Sequence, residues 1–112
     1  MKRGSPKRDW TDSVAKLYDE ACCRVCGSHS QLQQAHTAWC KFDQPKPGRK
    51  TLWVNPLDTV PLCLDDHLAY DAGNLDLLGY LTVEEQVRVV QHLGGIEAAR
   101  MRLAPLAYRS NP

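Results

Sequence analysis

Residues 60–71 read Val60-Pro61-Leu62-Cys63-Leu64-Asp65-Asp66-His67-Leu68-Ala69-Tyr70-Asp71, and the fold turns on how this run is divided. Thr59, Val60, Pro61 and Leu62 form a short β-prone run. From Cys63 to Ala72 no breaker intervenes, and Gly73 then supplies a stop. The spacing predicts a strand that passes into a short helix. On that helix His67 and Asp71 stand one turn apart, while Cys63 and Asp66 form a C-x-x-D pair at its start.

Upstream, Cys22-Cys23-Arg24-Val25-Cys26-Gly27 holds a C-x-x-C pair followed by glycine, the signature of a knuckle whose amides point at thiolate sulfur. Cys23, Cys26 and Cys63 give three soft ligands, and structural zinc normally takes four. Asp66, His67, Cys22 and Cys40 are the candidates for the fourth. Five cysteines, an odd number, fit a metal site better than a disulfide framework, because no secretory feature accompanies them. A reducing cytoplasm is the expected compartment. At 112 residues the chain makes one domain, small enough for a metal to help hold it.

The flanks predict an α+β fold. Thr11 or Asp12 caps a helix in which Val14, Leu17, Tyr18 and Ala21 recur at helical spacing. Leu32 to Ala38 reads as a strand centred on His36, residues 43–48 as a loop, and Thr51 to Val54 as a second short β-prone run. Thr82-Val83-Glu84-Glu85 is a capping box opening a helix to Leu93, with Val87, Val90 and Leu93 inward and Arg88 outward. A last helix covers Ile96 to Leu103 and stops before Pro105. Trp10, Trp39 and Trp53 read as packing residues. Residues 1–9 form a flexible basic tail and 10–112 a single domain, its hairpin-and-helix core and knuckle wrapped by terminal helices.

A net charge of +1 hides a segregation. Lys2, Arg3, Lys7 and Arg8 crowd the first ten residues, and Lys41, Lys46, Arg49 and Lys50 crowd a middle loop. Between Lys50 and Arg88 there is no Lys or Arg, while Asp58, Asp65, Asp66, Asp71, Asp76, Glu84 and Glu85 fall there. Basic arms that hold phosphates and an acidic centre that holds a cation would produce this pattern. No apolar run approaches the roughly 18–20 residues of a membrane span.

The runs CRVCGSHSQLQQAHTAW (23–39) and VNPLDTVPLCLDDHLAYDAGNLDLLGYL (54–81) resemble the small HNH endonucleases, especially those carried by phages of actinobacteria. The resemblance implies a zinc knuckle beside a ββα-metal unit that grips a catalytic divalent cation, Mg2+ or another, and cleaves DNA. It makes His36 the general base, puts Asp58 where the central asparagine usually lies, and makes His67 the last histidine of the motif. Asp58 would orient His36; His67 and Asp71 would hold the cation; Cys23, Cys26, Cys63 and Asp66 would hold structural zinc. Lys41, Lys46, Arg49 and Lys50 would contact DNA. One such unit addresses one strand, so a monomer would nick.

The chain departs from the pattern at Ala35, where many members carry a metal-binding acid or histidine just before the base. The ion then has one protein ligand fewer, or else His36 is itself a ligand and Thr37 stands in the base's place. Implied partners are DNA, a second copy of the chain or other phage proteins, and no membrane; a phage-encoded chain would act in the host cytoplasm. Two other readings stay open: a catalytically silent nucleic-acid-binding module, and a zinc-stapled protein-interaction module. In the latter Cys63-x3-His67 would complete a Cys3His site and consume His67.

Overall fold

The computed structural model describes residues 7–110. In chain order its elements are β1 (Arg8–Asp9), α1 (Thr11–Glu20), β2 (Leu32–His36), β3 (Gln44–Pro45), β4 (Leu52–Trp53), β5 (Thr59–Cys63), α2 (Leu64–Asp71), α3 (Val83–Leu93), α4 (Ile96–Leu103) and α5 (Pro105–Ser110). The α+β expectation is met. Of the stretch read as a tail, 1–6 lie outside the described residues, and Arg8–Asp9 pair in parallel with Leu52–Trp53.

β2 and β5 are antiparallel, in register from Leu32 opposite Cys63 to His36 opposite Thr59. Pro61 has no amide proton to lend, but its carbonyl accepts from Arg24 N at 2.9 Å, so the knuckle covers that edge of β5. α2 begins at Leu64, directly after β5, with Asp65 and Asp66 in its positive first turn. It ends at Gly73 (φ 75°), whose N–H returns to Tyr70 O. Ala35, Val60, Leu62, Tyr70, Leu77, Val89 and Leu103 form one core, and the Tyr70 hydroxyl donates to Thr37 O inside it. Among the described residues no helix is long and apolar enough to cross a membrane.

Two helix faces differ from expectation. Tyr18 is 75% exposed and Val87 46% exposed, whereas Ser13 and Glu85 are buried. The reason is polar. Ser13 Oγ lies 2.8 Å from Thr59 Oγ1, and the Lys16 ammonium reaches Pro56 O (2.5 Å), Thr59 O (2.7 Å) and Glu85 Oε2 (2.6 Å). Arg24 donates to Glu85 Oε1 at 2.7 Å, to Tyr80 O at 3.0 Å and to both Glu20 oxygens. Glu85 also closes the capping box of α3 with Thr82. One carboxylate thereby joins α1, the knuckle and α3.

Burial by itself would raise the Glu85 pKa, but hydrogen bonds from Arg24, Lys16 and the Thr82 amide outweigh it and hold the carboxyl at about 2. A depressed carboxyl stabilises the fold above its unfolded value and loses that contribution as pH falls through the folded one. Its contribution is about 3 kcal/mol. Stability followed by circular dichroism is expected to fall as pH drops from about 4.5 toward 2. Glu85→Gln is expected to lower stability at pH 7 by about 3 kcal/mol, because Lys16 and Arg24 lose their shared anion, and to flatten the acid limb.

Candidate metal centre and the adjoining cleft

The knuckle is built by the backbone. Cys23 N donates to Ser28 O at 2.7 Å, and Gly27 N returns to Cys23 O at 3.0 Å with Gly27 at φ 76°, a left-handed turn. Cys63 closes β5 and Asp66 lies in the first turn of α2, so the β5–α2 junction brings both against the knuckle. One donor atom from each of Cys23, Cys26, Cys63 and Asp66 lies within 4.8 Å of every other.

Cys26 and Cys63 sulfurs are 3.7 Å apart, and Cys23 Sγ is 3.2 Å from Asp66 Oδ2. Two sulfurs about 2.3 Å from one tetrahedral ion stand about 3.8 Å apart. The four groups are therefore close enough to hold a metal ion, and three thiols with one carboxylate are compatible with zinc. All five cysteines are free thiols.

The Ser28 backbone hydrogen bond lowers the Cys26 pKa, but Asp66, desolvation and the two neighbouring sulfurs outweigh it and push the thiol up to about 12. Partial burial would raise the Asp66 pKa, yet the Cys23 thiol, which donates to its carboxylate, and the neighbouring Cys26 and Cys63 thiols hold it below the usual range. An incoming ion must therefore displace thiol protons.

Cys22, Cys40 and His67, the other candidates for the fourth position, stand outside this group. Both His67 ring nitrogens are engaged elsewhere: Nδ1 lies 2.7 Å from Gln33 Oε1, and Nε2 lies 3.4 Å from Asp71 Oδ2. Asp66, not His67, completes the cluster.

Beside the cluster, His67 and Asp71 share a cleft of about 400 Å3 with His36, Gln34, Trp10, Trp39 and Arg102. His36 Nε2 lies 3.0 Å from Asp43 Oδ2, which also accepts from Arg8 Nε at 3.0 Å. Trp10 meets the His36 ring edge-on at 5.5 Å. Trp10 and Trp39, expected to pack inside, are walls of this cleft, and Trp39 is 45% exposed.

Asp58 does not reach His36. Its carboxylate accepts two 2.9 Å hydrogen bonds from Arg88 and lies 3.1 Å from His92, whose ring stacks on Phe42. Burial would raise its pKa, but Arg88 and His92 outweigh that and hold it below the usual range. Asp58 is tied to α3, and the carboxylate beside His36 is Asp43, not the Asp58 that the resemblance implied. Arg88, read as outward, is one of its partners.

Among the described residues the expected DNA-binding cations have separate surroundings. Lys46 sits 4.6 Å over Trp53 and 3.7 Å from Asp12, and lines a second cleft with Arg49, Asp9 and Thr51. Lys41 lies 5.4 Å over Phe42, and Lys50 is exposed. Sequence reasoning missed Gln33 as the partner of His67 and passed over Arg102. The signal for Gln33 was available: it follows Leu32, which pairs with Cys63, and His67 lies one helical turn after Cys63.

No protein-family model, no curated protein and no solved structure matches this chain.

The cluster leads to the expectation of one tightly held metal ion per chain, measured by elemental analysis of purified protein. Its removal should lower the melting temperature sharply, since binding and folding are coupled. Asp66→Cys is expected to hold a thiophilic ion more tightly. His67→Ala should retain the ion, and its loss from that variant would assign His67 to the cluster instead.

Proposed function

We propose that this chain is an HNH-type endonuclease that hydrolyses DNA phosphodiester bonds with a divalent cation, its Cys23, Cys26, Cys63 and Asp66 cluster holding structural zinc. The observation that carries the reading is the meeting in one cleft of an oriented imidazole, His36 with Asp43, and a cation-binding pair, His67 with Asp71.

With Nε2–H donated to Asp43, His36 keeps its Nδ1 lone pair for a proton from the attacking water, and Asp43 stabilises the imidazolium that results. His67 donates Nδ1–H to Gln33 Oε1, which turns the Nε2 lone pair toward Asp71. A divalent cation bound there would stabilise charge on the scissile phosphate and on the departing 3′ oxygen. Water adds to phosphorus, the P–O3′ bond breaks, and a 5′ phosphate and 3′ hydroxyl remain. Lys41, Lys46, Arg49 and Lys50 supply charge for the flanking backbone. Ala35 is fully buried and brings no donor, so a cation held by His67 and Asp71 would need its remaining ligands from substrate and water. That same residue favours a second reading, a DNA-binding module that does not cut.

Supercoiled plasmid incubated with Mg2+, Mn2+ or Ni2+ is expected to be nicked, and EDTA to stop it. His36→Ala should lose about 10²–10⁴-fold in rate while keeping DNA affinity. Asp43→Asn is expected to slow cleavage at unchanged fold, whereas Asp58→Asn should lower the melting temperature and leave the rate of the folded fraction intact. Wild-type protein that binds plasmid without cutting it under any of these ions establishes the second reading.

A further inference from the structure

Arg102 projects from α4 into the His36–His67 cleft, far in sequence from every residue discussed there. Its guanidinium lies over two aromatic rings: the carbon is 3.9 Å from the Trp39 ring centroid and 4.3 Å from that of Tyr70. The side chain is 12% exposed, and its Nε is buried with no hydrogen-bond partner. Among the described residues the nearest carboxylate is Asp71, with Oδ1 at 3.9 Å, beyond hydrogen-bond reach.

A nearly buried arginine normally has its planar fork of five N–H donors matched by a carboxylate. Here two aromatic rings stack on the guanidinium and Nε is left without a partner. A planar cation stacked on two rings, with an unpaired donor and a cleft beside it, is prepared for a planar or tetrahedral oxyanion. Asp71 bridges the two halves, 3.4 Å from His67 and 3.9 Å from Arg102, so an anion on Arg102 lies next to a cation on Asp71.

We infer that Arg102 binds a phosphate oxygen of the nucleic-acid backbone within this cleft, with Trp39 and Tyr70 fixing its plane. The inference rests on the nucleic-acid reading above and adds a contact from the C-terminal helices. Arg102 holds the phosphate against the His67–Asp71 pair and stabilises the charge that grows on it as the water adds.

The test uses the full chain and a fluorescein-labelled DNA duplex in EDTA, where cleavage plays no part. Arg102→Met keeps much of the apolar stem. It is expected to bind about tenfold more weakly and to reduce the slope of log affinity against log salt by about one. Arg102→Lys should recover the slope, because charge returns. With Mg2+ it should still cleave at least tenfold more slowly at saturating DNA, because the stacked fork is lost. Wild-type affinity and slope in a folded Arg102→Met protein overturn the inference, whether or not the wild type cuts. If Arg102→Met does not fold, Arg102→Lys with wild-type affinity and turnover overturns it. A wild type that never cuts, yet loses affinity and slope on Arg102→Met, sinks the nuclease reading and leaves this contact standing.

Discussion

Everything near the cleft depends on the absence of a loop between β5 and α2. Cys63 ends the strand and Leu64 begins the helix. The rotation of α2 about its axis is therefore set by whatever fixes Cys63 and Asp66. The thiol–carboxylate cluster fixes both. Once it is formed, His67 and Asp71 have no freedom to face elsewhere, since they follow Asp66 by one and five residues on a rigid rod. A metal that touches no substrate would thus decide the direction of the side chains beside the cleft.

The acidic stretch between Lys50 and Arg88 is not one cation-binding centre. Three of its members serve separate duties, paired with bases or amides from outside the stretch or at its edge. Asp58 takes Arg88 and His92, and Glu85 takes Lys16 and Arg24. Asp76 accepts from the amides of Leu106 and Ala107 at the start of α5. Asp66 belongs to the thiol cluster and Asp71 lines the cleft. Charge segregation in the sequence marks an assembly rule here: acids from the middle of the chain clamp helices from both ends. The buried members need close partners, because an unpaired buried charge costs several kcal/mol.

Local signals were legible. The capping box at Thr82, the glycine stop after α2, the knuckle and the strand around His36 each depend on neighbours within a few residues. The fourth member of the cluster was narrowed by C-x-x-D spacing and decided by where the His67 nitrogens go. Residues whose partners are distant were not legible. Asp43 sits in a loop, and no periodicity ties a loop carboxylate to a strand histidine. Val87 was assigned inward on apolar character, yet Glu85 takes a buried position because two cations converge on it. Pro105 was read as a stop, but proline also suits the first position of a helix, and α5 starts there with amides satisfied by Asp76.

The pairing of β2 with β5 has a kinetic side. The strands join residues separated by a long and mostly irregular excursion, and such contacts must meet the entropy of closing the loop before they return any stabilisation. Cys26 and Cys63 are separated by 37 positions. Linking them through one ion in the unfolded chain would remove about 3–4 kcal/mol of that entropy in advance. An ion bound early would thus act on the rate as well as on the end state, because the chain would search a much smaller space for the β2–β5 register.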